Sequence, residues 1–196
     1  QCLIYVLLYV ILMTPWWVHQ YEKYGEFVRL NLGDGIVLFS GNNPANTTGG
    51  GVGRYSGKSD MDLSQFYNIK SPVQRNKAMK TAAIDYIFAN PGDFVQLSGK
   101  KFVRLWRLWP HTEFYQQWYI IGSSLLSYGL ILFLAIGFII QYSKKYFRKL
   151  LPIYALFAYL TLVHMLTIGS IRYRFPLEPF LIIFASQFLT TFFKNK

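Results

Sequence analysis

Long stretches without charged residues dominate the hydrophobic pattern of this chain. No Asp, Glu, Lys or Arg occurs from Gln1 to Val18, from Phe114 to Ser143, or from Leu150 to Ile171. From Pro176 to Phe193 the only charged residue is Glu178. A helix of about 20 mostly apolar residues spans a bilayer, so these stretches predict four transmembrane helices. They cover about 1–14, 118–142, 152–169 and 176–193.

The first apolar stretch is short, because it stops at Thr14 before Pro15. Fourteen helical residues rise about 21 Å, less than the ~30 Å hydrocarbon core. No basic segment precedes the stretch and no small-residue cleavage site follows it, so it is a poor signal peptide. We expect a truncated transmembrane helix over 1–14, in a chain that is the C-terminal part of a longer protein. A short half-helix in a processed protein is the alternative.

The polar segment 15–117 contains three predicted features. Phe27–Phe39 alternates in part on both sides of Gly33-Asp34-Gly35, which predicts a short β-hairpin. Ser71 followed by a proline predicts the capped start of an amphipathic helix over about 72–89, and a second such helix follows over about 91–109. The fold class predicted is therefore an all-α integral membrane protein with about four transmembrane helices. Its extracytoplasmic loop domain is mostly helical, with the hairpin as an addition.

The second of these helices has two chemically different faces. Lys100, Arg104 and Arg107 lie at i, i+4 and i+7, while Phe102 and Trp106 lie largely on another face. A basic amphipathic helix with Trp on its apolar side is suited to a membrane interface. A basic face that is merely solvated above a packed helix is the alternative.

Composition narrows the class of protein. The chain is 53% hydrophobic and 15% charged, against roughly 25% charged in soluble domains. A simple soluble domain, a disordered chain and a disulfide scaffold are excluded, the last because there is one cysteine. The net charge of +11 does not indicate a nucleic-acid partner, because half of the chain belongs in lipid.

The distribution of basic residues predicts the topology. Residues 143–151 read SKKYFRKLL, with four basic residues and no acidic one, and short basic loops stay cytoplasmic. The C-terminal Lys194 and Lys196 lie on the same side, since an even number of crossings separates them from this loop. Residues 15–117 and the turn Ile171–Phe175 then lie outside. We expect a multi-pass protein of the inner cell membrane.

Arg172 and Arg174 are the sequence-level candidates for chemistry. They lie at the outer ends of two spans, where the positive-inside rule does not favour basic residues, and arginine binds phosphate oxygens well. Interface anchoring is an equally weighted alternative. Glu178 is expected to pair with one of them, and His164 to make a buried hydrogen bond rather than act in chemistry. The histidines are too scattered to predict a metal site.

Several stretches together resemble a known family. They include FVRLNLGDGIVLFSGNNPAN and HMLTIGSIRYRFPLEPFLIIFA, with the Pro15-Trp16 pair and the two helices of the outer domain between. They are similar to the C-terminal half of bacterial membrane glycosyltransferases of the GT-C superfamily, relatives of dolichyl-phosphate-mannose protein mannosyltransferases and aminoarabinose transferases. Members often read PW-x-x-R-N, whereas His19 and Gln20 stand here.

This resemblance implies a hexosyltransferase-type reaction, in which a sugar passes from a polyprenyl-phosphate carrier to a lipid, glycan or protein acceptor at the outer face. It implies a catalytic acid in a part upstream of Gln1, where a divalent metal is a candidate cofactor; no cofactor is identified in this chain. The donor phosphate is expected at Arg172, Tyr173 and Arg174. Supporting residues are His164, Glu178, Asn42 and Asn43. A transporter or flippase of lipid-linked sugars and a non-catalytic membrane anchor stay open as other classes.

Overall fold

The computed structural model describes residues 2–51, 62–111 and 113–194, and within them every regular element is helical. The chain divides into two compact units, one of Gln1–Thr47 and Gly51–Phe94, the other of Thr48–Gly50 and Val95–Lys196. The α-helices are α1 Cys2–Tyr24, α2 Asp34–Gly41, α3 Ser64–Tyr67, α4 Pro72–Ala89, α5 Pro91–Trp106, α6 Trp118–Ser124, α7 Leu130–Leu166 and α8 Glu178–Lys194.

Helix α1 is longer than the predicted helix over 1–14, because it continues through Pro15 to Tyr24. Proline removes one backbone donor, and this loss does not end the helix here. The end comes at Gly25, whose φ of +68° is accessible to glycine and whose N–H donates to Tyr21 O at 2.8 Å. The resulting stretch Leu3–Tyr24 is long and apolar enough to cross a membrane.

The predicted β-hairpin over Phe27–Phe39 is replaced by helix α2. Strand pairing is not available to residues 29 and 30, because Trp17 Nε1 donates to Arg29 O at 2.9 Å and Trp16 Nε1 to Leu30 O at 3.1 Å. The sequence Gly33-Asp34-Gly35, which was predicted to form a turn, instead forms the start of α2.

Side chains of α4 fix this helix start. Asp34, in the first turn of α2, accepts hydrogen bonds from Asn76 Nδ2 at 2.6 Å and Lys80 Nζ at 3.1 Å. These contacts, that of Asn76 first, lower the pKa of Asp34 despite its partial burial, and the charged carboxylate favours a helix N-terminus. Gly35 N–H donates to Asn76 Oδ1 at 2.9 Å, and a Cβ on Gly35 would lie 2.1 Å from Asn76 O. Only glycine permits this approach.

The core of the first unit lies between α2, α3 and α4. Phe39, Phe66, Met79 and Ala83 are buried against one another, with the two phenylalanine rings edge to face at 5.1 Å. Helix α4 covers the range predicted from its cap, and Ser71 Oγ accepts a long hydrogen bond of 3.4 Å from Gln74 N.

The core of the second unit lies between α7 and α8. The rings of Phe138 and Phe157 lie 5.0 and 6.5 Å from the ring of Phe184. In a straight helix the Cα atoms of residues 138 and 157 would be about 28 Å apart, too far for both rings to reach one partner. Helix α7 therefore bends back between them. The predicted basic loop 143–151 lies in this stretch and is helical.

Three helices are long and apolar enough to cross a membrane: Leu3–Tyr24, Trp118–Leu166 and Ile171–Lys194. Two of the four predicted spans fall within the single helical stretch Trp118–Leu166, so the described residues give three candidates rather than four. This stretch includes π-helical residues Leu125–Gly129, and the third candidate begins with a 3₁₀ segment over Ile171–Leu177.

Candidate functional site

A cleft with cationic side chains in its walls lies on the basic face of α5 in the second unit. Together with the residues just beyond the end of the helix, this face lines the cleft, which has a volume of about 580 Å³ and is here called the basic cleft. Among the residues that the structure describes, its walls include three cationic side chains and no carboxylate. The lining residues are Thr48, Gly99, Lys100, Val103, Arg104, Arg107, Trp109 and His111.

His111 holds Arg107 in the basic cleft. Its Nε2 lies 3.0 Å from Arg104 O, so Nε2 must carry the proton and donate to that carbonyl. Its Nδ1 is then the acceptor for Arg107 Nη1, at 2.9 Å. Burial, together with the charges of the nearby guanidinium groups, lowers the pKa of His111, although the bond to Arg104 O opposes this. His111 is therefore neutral at pH 7 and orients Arg107 without adding charge.

Arg104 and Arg107 place two guanidinium groups close together. Burial first, and then the charge of Arg107, lowers the pKa of Arg104. Arg104 Nε donates to Gly169 O at 3.3 Å, and its Nη2 would lie only 2.8 Å from a Cβ on Gly50. The Arg107 guanidinium carbon lies 4.6 Å from the centre of the Trp109 ring. Two confined like charges favour the binding of an anion, because an anion relieves their repulsion.

The apolar face of α5 lines a second cleft, of about 700 Å³, here called the apolar groove. Its wall is completed by α7, where Phe157 stacks on Trp106 at 6.0 Å and 19°. Gly99 contributes to both clefts, so they lie on either side of one helix. The lining residues are Gly99, Phe102, Trp106, Phe157, Ala158, Thr161, Leu162 and Met165. An ionic and an apolar cavity that share a wall suit an amphiphilic ligand.

Tight packing fixes α5 against the end of α7. Ser98 Oγ donates to Met165 O at 3.3 Å and Lys101 Nζ to Leu166 O at 3.5 Å, which satisfies carbonyls that the helix end leaves without intrahelical partners. Lys101 is fully buried, and burial lowers its pKa to about 8. Gly169 N–H donates to Gly49 O at 3.0 Å. These contacts hold α5, which carries the basic cleft, against the end of α7.

Arg174, predicted as a phosphate ligand, is buried at 5% exposure and already engaged. Its Nη1 donates to Leu105 O at 3.4 Å and also to Arg107 O, both at the C-terminal end of α5. Its Nε donates to Glu178 Oε1 at 3.2 Å, and its guanidinium carbon lies 3.5 Å from the centre of the Tyr128 ring. Arg174 therefore supports α5, and Glu178 makes the ion pair expected of it.

The other predicted residues of this unit separate into an exposed and a packed group. Arg172 is exposed, with its guanidinium carbon 6.0 Å from the Tyr173 ring centre. Tyr173 stacks on His164, with ring centroids 4.2 Å apart and planes within 4°. The segment is a 3₁₀ turn rather than the extended turn assumed from the sequence. Residues two apart in a 3₁₀ turn point about 120° apart, which accounts for one exposed and one buried arginine.

Asn42 and Asn43 lie in the first unit, after the end of α2. Asn42 Nδ2 donates to Leu38 O and Asn43 Nδ2 to Phe39 O, at 2.9 and 2.8 Å. Asn43 Oδ1 also accepts from Ala45 N–H at 2.9 Å. Both are buried. Their side-chain amides satisfy carbonyl groups in the last turns of α2, so this part of the GNNP sequence caps the helix.

Comparison with protein-family models, curated proteins and solved structures finds no match.

The sequence predicts only part of the site. Its pattern places Lys100, Arg104 and Arg107 on one face, either of a helix at a membrane interface or merely solvated, and gives His111 no role. The available signal was the spacing of His111, seven residues after Arg104, which predicts a position on the same face one turn beyond Arg107. Among the described residues, no group of three His, Cys, Asp or Glu side chains could hold a metal ion.

Proposed function

We propose that this chain forms the donor-binding part of a membrane glycosyltransferase, which transfers a sugar from a polyprenyl-phosphate carrier to an acceptor at the outer face. The observation that supports this function best is the pairing of the basic cleft with the apolar groove across α5. A lipid-linked sugar has the matching parts: a charged phosphate, a long apolar chain and a polar sugar.

The donor phosphate belongs in the basic cleft in this proposal. Arg104 and Arg107 supply forked donors for its oxygens, and Lys100 adds a third positive charge. When the sugar leaves the carrier, negative charge grows on the phosphate. Preorganised cations stabilise that charge in the transition state. The isoprenoid chain lies in the apolar groove, along Phe102 and Trp106.

Arg172 and Tyr173 stay part of the proposed donor site, because Arg172 is exposed in the 3₁₀ turn whose Arg174 contacts the end of α5. Arg174 takes a different role, because its guanidinium holds the carbonyls at the end of α5. The acceptor base is assigned, by the resemblance alone, to the first outer loop of a longer protein. His164 and Glu178 act as packing and ion-pairing partners of the 3₁₀ turn.

The proposal includes four crossings of the inner membrane, with the bend of α7 as the point where two of them meet. The basic residues 144–149 lie near that bend and favour the cytoplasmic side. The segment between the first and second crossings, which was predicted over 15–117, and the 3₁₀ turn then lie outside, where the lipid-linked donor is used.

Donor binding by single variants tests the proposed function. Arg104→Gln and Arg107→Gln should each weaken the binding of a polyprenyl phosphate by roughly 10- to 150-fold, since a hydrogen bond to a charged group is worth about 1.5–3 kcal/mol. Arg107→Lys should recover part of the loss, because it keeps the charge but not the fork. Arg148→Gln, which removes an exposed charge from α7, is the matched control and should bind normally.

Two readouts separate the proposal from its competitors. Radiolabelled sugar transfer by protein in membranes identifies an enzyme, whereas movement of the lipid-linked sugar across the bilayer without transfer identifies a flippase. If Arg104→Gln and Arg107→Gln bind the polyprenyl phosphate as tightly as the parent chain, the basic cleft is not the donor site.

A further inference from the structure

A second polar cleft lies between α7 and α8 and shares no lining residue with the two clefts on α5. Its volume is about 540 Å³. Polar and cationic side chains come from both helices, and Phe138 forms an apolar wall. The polar lining includes Tyr142, Lys145 and Tyr146 of α7 with Gln187, Thr191 and Lys194 of α8. The sequence analysis assigned none of them a role beyond the topology.

The charges around this cleft have one sign. Lys145 also lines a neighbouring cleft of about 530 Å³, to which Lys144, Arg148 and Lys149 contribute. The one acidic residue of α7 and α8 in the described part of the chain is Glu178, which starts α8 and pairs with Arg174. Sixteen helical residues separate it from Lys194, about 24 Å, well beyond the Debye length of about 8 Å at physiological ionic strength. No acidic residue of α7 or α8 in the described part of the chain therefore lies close enough to offset the positive charges of the cleft.

The depth of the cleft indicates the source of an anionic ligand. Residues 114–143 carry no charge before Lys144, and residues 179–193 carry none before Lys194. Because the two apolar stretches end beside the same cleft, the cleft opens where a membrane-spanning helix pair leaves the hydrocarbon. Lipid phosphate groups lie at this level, and basic pockets between transmembrane helices suit anionic head groups.

We propose that this cleft binds the phosphate of an anionic phospholipid from the surrounding membrane. The ammonium groups of Lys145 and Lys194 and the hydroxyl groups of Tyr142 and Tyr146 supply donors to the phosphate oxygens. Phe138, stacked on Phe184, provides the apolar surface for the start of an acyl chain. The bound lipid joins α7 to α8 at the end opposite the 3₁₀ turn. This site is independent of the proposed glycosyltransferase function.

Lipid binding to the chain in nanodiscs tests the site. A fluorescent phosphatidylglycerol titrated into phosphatidylcholine nanodiscs should bind the parent chain in preference to labelled phosphatidylcholine. Lys145→Gln and Lys194→Gln should each weaken that binding by roughly 10- to 150-fold, because each removes a direct hydrogen bond between charged groups. Lys149→Gln makes the same charge change outside the cleft and should bind as the parent does. Polyprenyl phosphate binding, measured in parallel, should be unchanged in all three.

Three results would overturn the proposal. Equal binding of phosphatidylglycerol and phosphatidylcholine would show that the net negative charge of the head group is not recognised. An equal loss in Lys149→Gln would show a diffuse surface field rather than a site. Competition by soluble glycerol phosphate at the affinity of the lipid would identify a site for free phosphate instead. None of these results bears on sugar transfer, so the two proposals fail separately.

Discussion

Arg174 illustrates how a single buried charge can organise a neighbouring site. Its guanidinium donates to two carbonyls at the end of α5, those of Leu105 and Arg107, pairs with a carboxylate and lies over an aromatic ring. Carbonyls at a helix end lack intrahelical donors, and a cation there also complements the helix dipole. Because Arg107 follows the last turn of α5, an ordered helix end places its guanidinium in the basic cleft.

Replacement of Arg174 by methionine should therefore destabilise the second unit. Loss of its charged hydrogen bonds should cost about 2–3 kcal/mol, seen as a lower melting temperature in detergent. Hydrogen exchange should rise in the amides of residues 102–109, where the helix end loosens. Arg172→Met removes an exposed arginine from the same 3₁₀ turn and should leave both measurements unchanged. A variant Arg174→Met with unaltered stability and exchange but abolished phosphate binding would make Arg174 a direct ligand.

At the scale of elements, the second unit depends on a close crossing of backbones. Gly169 follows α7 and lies against α5, where a Cβ would fall 2.4 Å from Lys101 O and 2.6 Å from Lys101 Cα. Gly49, with a φ of +78°, packs against the same residue. Gly50 also packs on α5, where a Cβ would meet the guanidinium of Arg104.

Substitution Gly169→Ala should accordingly destabilise the chain. The added methyl group would contact backbone atoms, which cannot move aside by a change of rotamer as a side chain can. Overpacking of this kind costs about 1–3 kcal/mol. Gly122→Ala is the matched control, because a Cβ at Gly122 meets nothing within 4 Å and alanine favours α6 by up to about 1 kcal/mol. Melting temperatures of the two variants in detergent should move in opposite directions. Equal behaviour would mean that the α5–Gly169 crossing is looser than described.

At the scale of the whole molecule, apolar surface is arranged for lipid rather than water. Side chains along α1 from Leu3 to Leu12 are exposed in the chain by itself, which a soluble protein does not tolerate over such a length. The bent α7 presents exposed Phe133, Ile140 and Leu162 as well. The bend brings residues 144–149, the densest basic stretch, to one end of the α7–α8 pair.

Cysteine labelling should show residues 64 and 143 on opposite sides of the membrane. In a Cys2→Ser background, an impermeant maleimide should label Ser64→Cys in spheroplasts and should label Ser143→Cys only after the membrane is permeabilised. The expectation follows from the basic residues at 144–149, because short segments rich in Lys and Arg are retained on the cytoplasmic side. Labelling of Ser143→Cys in intact spheroplasts would refute both the topology and the bend as a cytoplasmic turn.

The sequence alone determined the class of this protein and several of its elements. Apolar stretches of membrane length, the Ser71-Pro72 start of α4 and the i, i+4, i+7 basic face of α5 depend on neighbours close in sequence, so local pattern predicts them. The membrane character follows from the same local rule, whereas the identity of the ligand does not.

The tertiary structure decided the points that depend on distant partners. Gly33-Asp34-Gly35 reads as a turn until Asn76 and Lys80 hold Asp34 at the start of a helix. Arg174 was predicted to bind phosphate. Its donors are instead used by the carbonyl groups at the end of α5, which lie 67 and 69 residues away in the sequence. His111 gains a role only because its two ring nitrogens form hydrogen bonds with the Arg107 guanidinium and with Arg104 O. In each case the same side chain has two chemically sensible uses, and the partner that packing brings within hydrogen-bond distance selects one of them.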